Sequence, residues 1–397
     1  MRPDRPRVLL AHNRYRIRGG EDAAVERDRA ALERAGCAVE AVYLDNDALD
    51  SRLAQARTAL EAAHAPRGVA TVLAAARRFA PDVVHVHNFF PRLSPGVHAA
   101  ARDAGYATVQ TLHNYRLLCA GAFLMRDGVP CEVCVDGSPY QAVRFGCYRG
   151  SRIGSLAVAR MIGRHRRIGT WQRDVDRFVA LTPFARDRFT AAGFPAARIR
   201  VRPNGLPDPG LPADGPRAGI LYVGRLSPEK GVLVLAEAAG RTRARIAVMG
   251  EGPAAEALAG HPRLDLRGPC SRETVQAAMA RAAAVVLPSL WYEGLPMVLA
   301  EAFAAGTPVV ASRIGALAGL VADGVTGLLA APGDAADLAR ALDRIHDDPA
   351  GAAAMGRAAR AVYEREWHEE ATTRALLDIY RDAIAARAAD HPLRTGT

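Results

Sequence analysis

The sequence predicts an α/β protein made of two doubly wound domains, each a parallel sheet with helices on both faces. Three observations carry that prediction. Short apolar runs alternate with helical stretches along most of the chain, the pattern left by repeated strand–helix–strand crossovers. A Pro/Gly-rich stretch at residues 202–212 interrupts this pattern near the middle, and it restarts beyond. The 397 residues, half of them apolar, are too many for one ordinary core and suit two domains of roughly 200 residues.

In the first half, strands are expected at 7–11, 38–44, 83–87, 108–112 and 178–181, each a short apolar run. Helices are expected at 20–35, 69–79, 94–104 and 184–192; Gly36, Gly105 and Gly193 mark three of their ends. In the second half, strands are expected at 219–223, 246–249, 285–287 and 309–311, and helices at 232–239, 272–282, 297–305 and 334–347. A last helix, from Glu369, is long enough to pack back towards the first domain. The resulting division is a first domain at 1–205 with a Cys-rich insertion at 119–147, a linker at 206–217, a second domain at 218–368, and a helix and tail at 369–397. Ligands of such folds bind outside the carboxyl ends of the strands, so the expected site is a central cleft between two facing domains.

Charge narrows the partners. Of 52 basic residues, Lys230 is the only lysine, so most of the arginines reflect coding bias rather than recognition. Residues 1–217 hold 33 basic and 21 acidic side chains, net +12, and residues 218–397 hold 19 and 21, net −2. The first half is thus expected to meet something anionic. No charge-free apolar run approaches the length of a membrane span. The apolar stretch 8–11 is too short for a signal-peptide core. A cytoplasmic protein with reduced cysteines is expected.

Two motifs carry chemistry. Gly224-Arg225-Leu226-Ser227-Pro228-Glu229-Lys230-Gly231 follows a strand; Arg225 and Lys230 offer a planar fork and a point charge suited to a diphosphate. That the one lysine stands here argues for a specific ammonium. The second motif, Trp291-Tyr292-Glu293-Gly294-Leu295-Pro296 leading to Glu301, opens a helix. Amides at that helix start form an anion site, and Glu293 and Glu301 suit sugar or ribose hydroxyls.

With these motifs in view, the chain resembles glycosyltransferase family 4, the retaining GT-B enzymes, over roughly residues 7–385. Glu293 and Glu301 match the family's Glu-x7-Glu motif, and Gly224-Arg225 with Lys230 its diphosphate-binding loop. The resemblance implies two Rossmann-like domains, with Glu293 beside the donor sugar, Glu301 on the ribose hydroxyls, and the Gly294 and Leu295 amides near sugar and phosphate. It also implies that Gly19-Gly20 approaches the phosphates and that His113, ending a strand in Thr111-Leu112-His113-Asn114, lies beside the donor sugar. His85 and His87 are read as packing or acceptor-side residues. Catalytic roles then fall to His113, Glu293, Arg225 and Lys230, with no catalytic cofactor or metal, because the cations stabilise the departing diphosphate.

Four cysteines, Cys119, Cys131, Cys134 and Cys147, fall within 29 residues with a Cys-x2-Cys knuckle; such thiolates suit a structural zinc, or are simply reduced thiols in an insertion. Asp45-Asn46-Asp47 is read as a loop rather than a metal motif. Residues 155–177, where Leu156, Val158, Met161, Ile162, Ile168 and Trp171 interleave with six arginines, read either as an interfacial helix on anionic lipid or as an ordinary amphipathic helix. No motif for nucleic acid accompanies the charge. The expected function is transfer of a hexose-type sugar from a nucleotide diphosphate donor to a glycan or lipid-linked acceptor. The setting is cell-surface polysaccharide synthesis at the inner face of the membrane. The rival is a noncatalytic nucleotide-sugar or anionic-polymer binding protein.

Overall fold

The computed structural model describes residues 5–15, 19–45, 58–59, 61–210 and 215–390. The chain divides into two compact units, one of residues 1–124, 131–205 and 370–397, the other of 125–130 and 206–369.

The first unit is built on a six-stranded parallel sheet of β1 (Val8–Arg14), β2 (Val39–Asp45), β3 (Val83–Val86), β4 (Ala107–Leu112), β7 (Arg177–Ala180) and β8 (Ile199–Val201). The intervening β5 (Met125–Arg126) and β6 (Val129–Pro130) form a small antiparallel hairpin. The large sheet runs β2-β1-β3-β4-β7-β8, so its direction of growth reverses between β1 and β3. Central strands β3 and β4 are buried along their whole length, the polar His85, Thr108, Gln110 and Thr111 included. One face of this sheet, with Val8, Leu10, Val83, Val109 and Val179, is covered by Leu376, Ile379, Tyr380 and Ala383 of the helix Glu369–Asp390.

The start of the Pro/Gly-rich stretch is anchored in this unit. Arg202 is 2% exposed. Its guanidinium donates to both carboxylate oxygens of Asp28, at 2.9 and 2.7 Å, and to the Thr372 carbonyl at 3.1 Å. Pro203 and Gly205 signalled a loose turn, but a buried guanidinium must be paired, and this one is.

The second unit carries the sheet β11 (Leu264–Gly268), β10 (Ile246–Met249), β9 (Ile220–Val223), β12 (Ala284–Leu287), β13 (Val309–Ser312) and β14 (Gly327–Ala330), in that order and all parallel. Alternate residues of β9 serve two cores. Ile220 and Tyr222 pack with the helices Val232–Ala239 and Ala335–Asp347. Leu221 packs on the other face with the helix Met297–Ala304 and Trp367. Both faces are therefore covered, as a parallel sheet requires. The switch point of this sheet lies between β9 and β12. The loops that leave their carboxyl ends are the ones that hold Lys230 and Glu293.

Buried histidines make the first unit acid-sensitive. His98 is fully buried and bonded to Gln110 at 2.9 Å, and burial pushes its pKa down to about 4. Between its ordinary pKa near 6.5 and that value, the unfolded chain binds a proton that the native chain does not, so stability falls as pH drops. His98 alone should remove about 3 kcal/mol between pH 6.5 and 4. Urea midpoints measured down that range should fall more steeply for the wild type than for His98→Gln; equal slopes would contradict it.

Candidate active site

At the switch point of the second sheet, β9 ends in Gly224-Arg225-Leu226 and β10 in Gly250-Glu251-Gly252. The two loops interlock by backbone: Gly224 donates to the Met249 carbonyl at 3.0 Å and Leu226 to the Glu251 carbonyl at 2.8 Å. A Cβ on Gly250 would stand 1.9 Å from the Gly224 oxygen, so only glycine allows this approach. A further close contact follows at Gly231, φ +71°, where a Cβ would lie 1.8 Å from the Pro288 oxygen. This brings the end of the Arg225–Lys230 loop against the start of the loop after β12.

The contact seats Lys230 beside Glu293. The ammonium lies 2.8 Å from Glu293 Oε1 and 5.3 Å from the centre of the Trp291 ring. Ser289 Oγ donates to the same carboxylate oxygen at 2.8 Å. Lys230 keeps about a quarter of its side chain exposed, while Glu293 is buried. Arg225 projects into solvent and makes no ion pair among the described residues; its carbonyl accepts from Tyr222 Oη at 2.8 Å. The amides of Gly294 and Leu295 meet no acceptor among the described residues. Pro296 is the N-cap of the helix Met297–Ala304. Lys230, the buried Glu293 carboxylate, two open amides and the exposed Arg225 thus stand on loops at one sheet end. That set favours an anionic group bearing hydroxyls.

Glu301 has different surroundings. It lines a cavity of about 200 Å³ with Leu206, Arg272, Gln276 and Ala304, between the helices Arg272–Arg281 and Met297–Ala304.

In the first unit, the predicted residues gather at the carboxyl ends of β1, β3 and β4. His113 lies 3.0 Å from His87, nitrogen to nitrogen, with the rings stacked at 5.3 Å. Burial, with the charges of His12 and Arg202 nearby, pushes the His113 pKa down to about 3, so the ring is neutral near pH 7. His85 is structural, held between Tyr380 Oη and Thr111 Oγ1 at 2.7 Å each. Gly19 is extended, and its amide donates to Asp22 Oδ2 at 2.9 Å, while His12 Nε2 meets Asp22 Oδ1 at 2.9 Å. The Gly19 amide is thus used in the cap of its own helix.

Two residues beside Gly20 escaped the sequence reading. Tyr15 Oη donates to Glu21 Oε2 at 2.9 Å, and Asn114 Nδ2 lies 3.3 Å from the same oxygen. Burial pushes the Glu21 carboxyl up to about 7. A carboxylate directly after a glycine pair was the available signal. The Gly250-Glu251-Gly252 loop was also missed, although Gly-x-Gly after a strand marks a close backbone approach.

The four cysteines are neighbours in the first unit. Cys131 donates its amide to the Leu124 carbonyl, Cys119 Sγ lies beside Gly121 together with the Cys147 carbonyl, and burial with the other three thiols nearby pushes Cys134 up to about 11. Among the described residues, no three His, Cys, Asp or Glu side chains are gathered into an arrangement that could hold a metal ion. The donor set suits zinc; its side chains are not closed on one point. Asn46 and Asp47 lie outside the described residues.

Comparison with known proteins fits this geometry. Residues 19–205 match the family described as "Glycosyl transferase 4-like domain", and residues 217–348 the one described as "Glycosyl transferases group 1". The chain is similar to the D-inositol 3-phosphate glycosyltransferase of Frankia alni, 32% identical over 336 residues, 77% of this chain and 75% of that protein. It is also similar to the glycogen synthase of Mycobacterium tuberculosis, 36% identical over 226 residues, 52% of this chain. The match spans about half the length of that relative, 54%. Among solved structures, Anabaena Alr3699/HepE in complex with UDP-glucose matches with a TM-score of 0.63 at 18% identity, over 97% of this chain and 100% of that one. The two parallel α/β sheets are those of the GT-B glycosyltransferases. Within that class, the chain belongs to glycosyltransferase family 4.

Proposed function

We propose that the chain is a retaining glycosyltransferase that moves a hexose-type sugar from a nucleoside diphosphate donor to a glycan or lipid-linked acceptor. The setting proposed is cell-surface polysaccharide assembly at the inner face of the membrane. The observation that carries this reading is the Lys230–Glu293 pair at the switch point, flanked by Arg225 and the open Gly294 and Leu295 amides.

As the bond from the anomeric carbon to the β-phosphate oxygen breaks, its electron pair leaves with the diphosphate. Negative charge then grows where Arg225, Lys230 and the two amides converge, and fixed donors at that point lower the barrier. The acceptor oxygen attacks from the same face, and its proton passes to the departing phosphate oxygen. Glu293, buried and held by Ser289, balances the positive charge developing on the sugar ring. Glu301 is assigned the ribose hydroxyls on the family resemblance, and His113, in the first unit, is neutral near pH 7. The cations supply the electrostatics that a catalytic metal would otherwise provide, so activity is expected to persist in EDTA.

Anabaena HepE was solved with UDP-glucose, which makes UDP-glucose the first donor to try. Proton NMR of the new glycosidic bond should show the donor's anomeric configuration; inversion would overturn the retaining reading. A structural zinc at Cys119, Cys131, Cys134 and Cys147 is proposed on the chemistry of the donor set alone. Freshly purified protein should carry about one zinc per chain, lost in the Cys131→Ser, Cys134→Ser variant. Metal content near zero, with four readily titrated thiols, would remove zinc and leave the transfer reading intact.

A further inference from the structure

The helix Arg152–Arg167 presents two stripes of different chemistry. Ser155, Val158, Ala159, Met161, Ile162 and His165 are buried, and His165 is bonded to Thr170 and to the Ala63 carbonyl at 2.8 and 2.9 Å. Val158, Met161, Ile162 and Trp171, which the sequence left open to a lipid-facing or a core role, are all core residues. Arg166 is structural too, since it donates to the Gly137 and Cys134 carbonyls at 3.2 and 3.0 Å.

What remains outside is one stripe. Ile153, Leu156, Arg160, Arg164 and Arg167 are all exposed, and at 100° per residue they fall within an arc of about 80°. Ile153 is 80% exposed and Leu156 47%. Apolar anchors stand at one end of the stripe and cations at the other. Around it the charge is one-sided: residues 137–173 contain eight arginines and no acidic residue. Three more large apolar side chains of the same region, Tyr140, Phe145 and Ile168, are 40 to 43% exposed. Tyr140 packs against Gly163 at the flank of the stripe.

An isolated exposed isoleucine needs no explanation. Apolar anchors and arginines on one helix face, in a stretch of chain without acids, fit a surface that is apolar just below a layer of negative charge. Arginine stems lie along apolar surface while their heads reach anions. We propose that this face docks on the surface of a lipid bilayer containing anionic lipid, with Ile153 and Leu156 entering the headgroup boundary and Arg160, Arg164 and Arg167 meeting headgroup phosphates. The helix lies on the bilayer and does not cross it; no helix among the described residues is long and apolar enough to do so. This deepens the proposed membrane-side setting of the reaction. Docking is measured without donor or acceptor, so its failure and the failure of the transfer reading are separable.

The test is co-sedimentation of the full chain with vesicles of phosphatidylcholine alone, or of phosphatidylcholine with one-third phosphatidylglycerol. Binding is expected to the anionic vesicles only, weakening as salt rises from 0.05 to 0.5 M, values chosen to span Debye lengths of about 13 to 4 Å. Each cation near an anionic surface is worth about a factor of five in partition. Arg164→Gln with Arg167→Gln should thus lower binding about 25-fold, and Ile153→Ser with Leu156→Ser should abolish it at high salt first. All four substitutions sit on exposed positions, so unchanged thermal unfolding should accompany them. Three outcomes would overturn the proposal: no binding to anionic vesicles at low salt, wild-type binding in both double variants, or heparin, a soluble polyanion, bound as tightly as the vesicles and dependent on the arginines but not on Ile153 and Leu156.

Discussion

Lys230→Ala should lower sugar transfer by about 10²- to 10³-fold, the range expected when one fixed donor to developing negative charge is removed. The structure adds a second effect. Glu293 is 6% exposed and would lose its ammonium partner, keeping only the Ser289 hydroxyl. An under-satisfied buried acceptor costs about 1–3 kcal/mol, so the variant should also unfold at lower urea. Adding Glu293→Gln to Lys230→Ala removes the stranded charge. The double variant should recover stability and remain inactive, which separates the catalytic loss from the structural one. Arg225→Ala should lose activity with no change in stability, because Arg225 is already solvent-exposed. Wild-type turnover in Lys230→Ala or Arg225→Ala would contradict the placement of the diphosphate.

The largest stability effect is expected at Asp28 and Arg202. Their bidentate pair is buried on both sides, at 6% and 2% side-chain exposure. Breaking such a pair from one side leaves an uncompensated charge and costs about 3–5 kcal/mol. Asp28→Asn or Arg202→Met should therefore shift urea unfolding by that amount. Because Arg202 also binds the Thr372 carbonyl of the helix Glu369–Asp390, hydrogen exchange in that helix should accelerate in Arg202→Met. A change below about 1 kcal/mol would contradict the pair's role.

The interior strands were legible because a parallel sheet covered on both faces forces continuous apolar runs; β9, β10 and β12 stand where the runs of residues 219–223, 246–249 and 285–287 placed them. Three of the four edge strands were not, β2, expected at 38–44, being the exception. β11 reads Leu264-Asp265-Leu266-Arg267-Gly268 and is exposed along much of its length, so no buried run marks it. β8 is three residues long with Arg200 at its centre, and β14 is only Gly327–Ala330. At the candidate site, the Arg225–Lys230 loop and Glu293 were legible as motifs, yet their pairing depends on the approach of Gly231 to Pro288, which no local pattern announces. The anchoring of Arg202 was not legible for the same reason. Its local signal is Pro203 and Gly205, while its partner Asp28 lies 174 residues away. On the helix Arg152–Arg167, amphipathicity was visible but the side facing the core was not, because apolar residues occupy both stripes.

The most direct test of the central claim is release of nucleoside diphosphate from a panel of UDP-, GDP- and ADP-sugars by purified protein in EDTA, for the wild type and Lys230→Ala side by side. The account predicts turnover of at least one donor by the wild type, unaffected by the chelator, and loss of about 10²-fold or more in Lys230→Ala. Wild-type release that vanishes in EDTA and returns with Mg²⁺, or equal release by the two proteins, would contradict it.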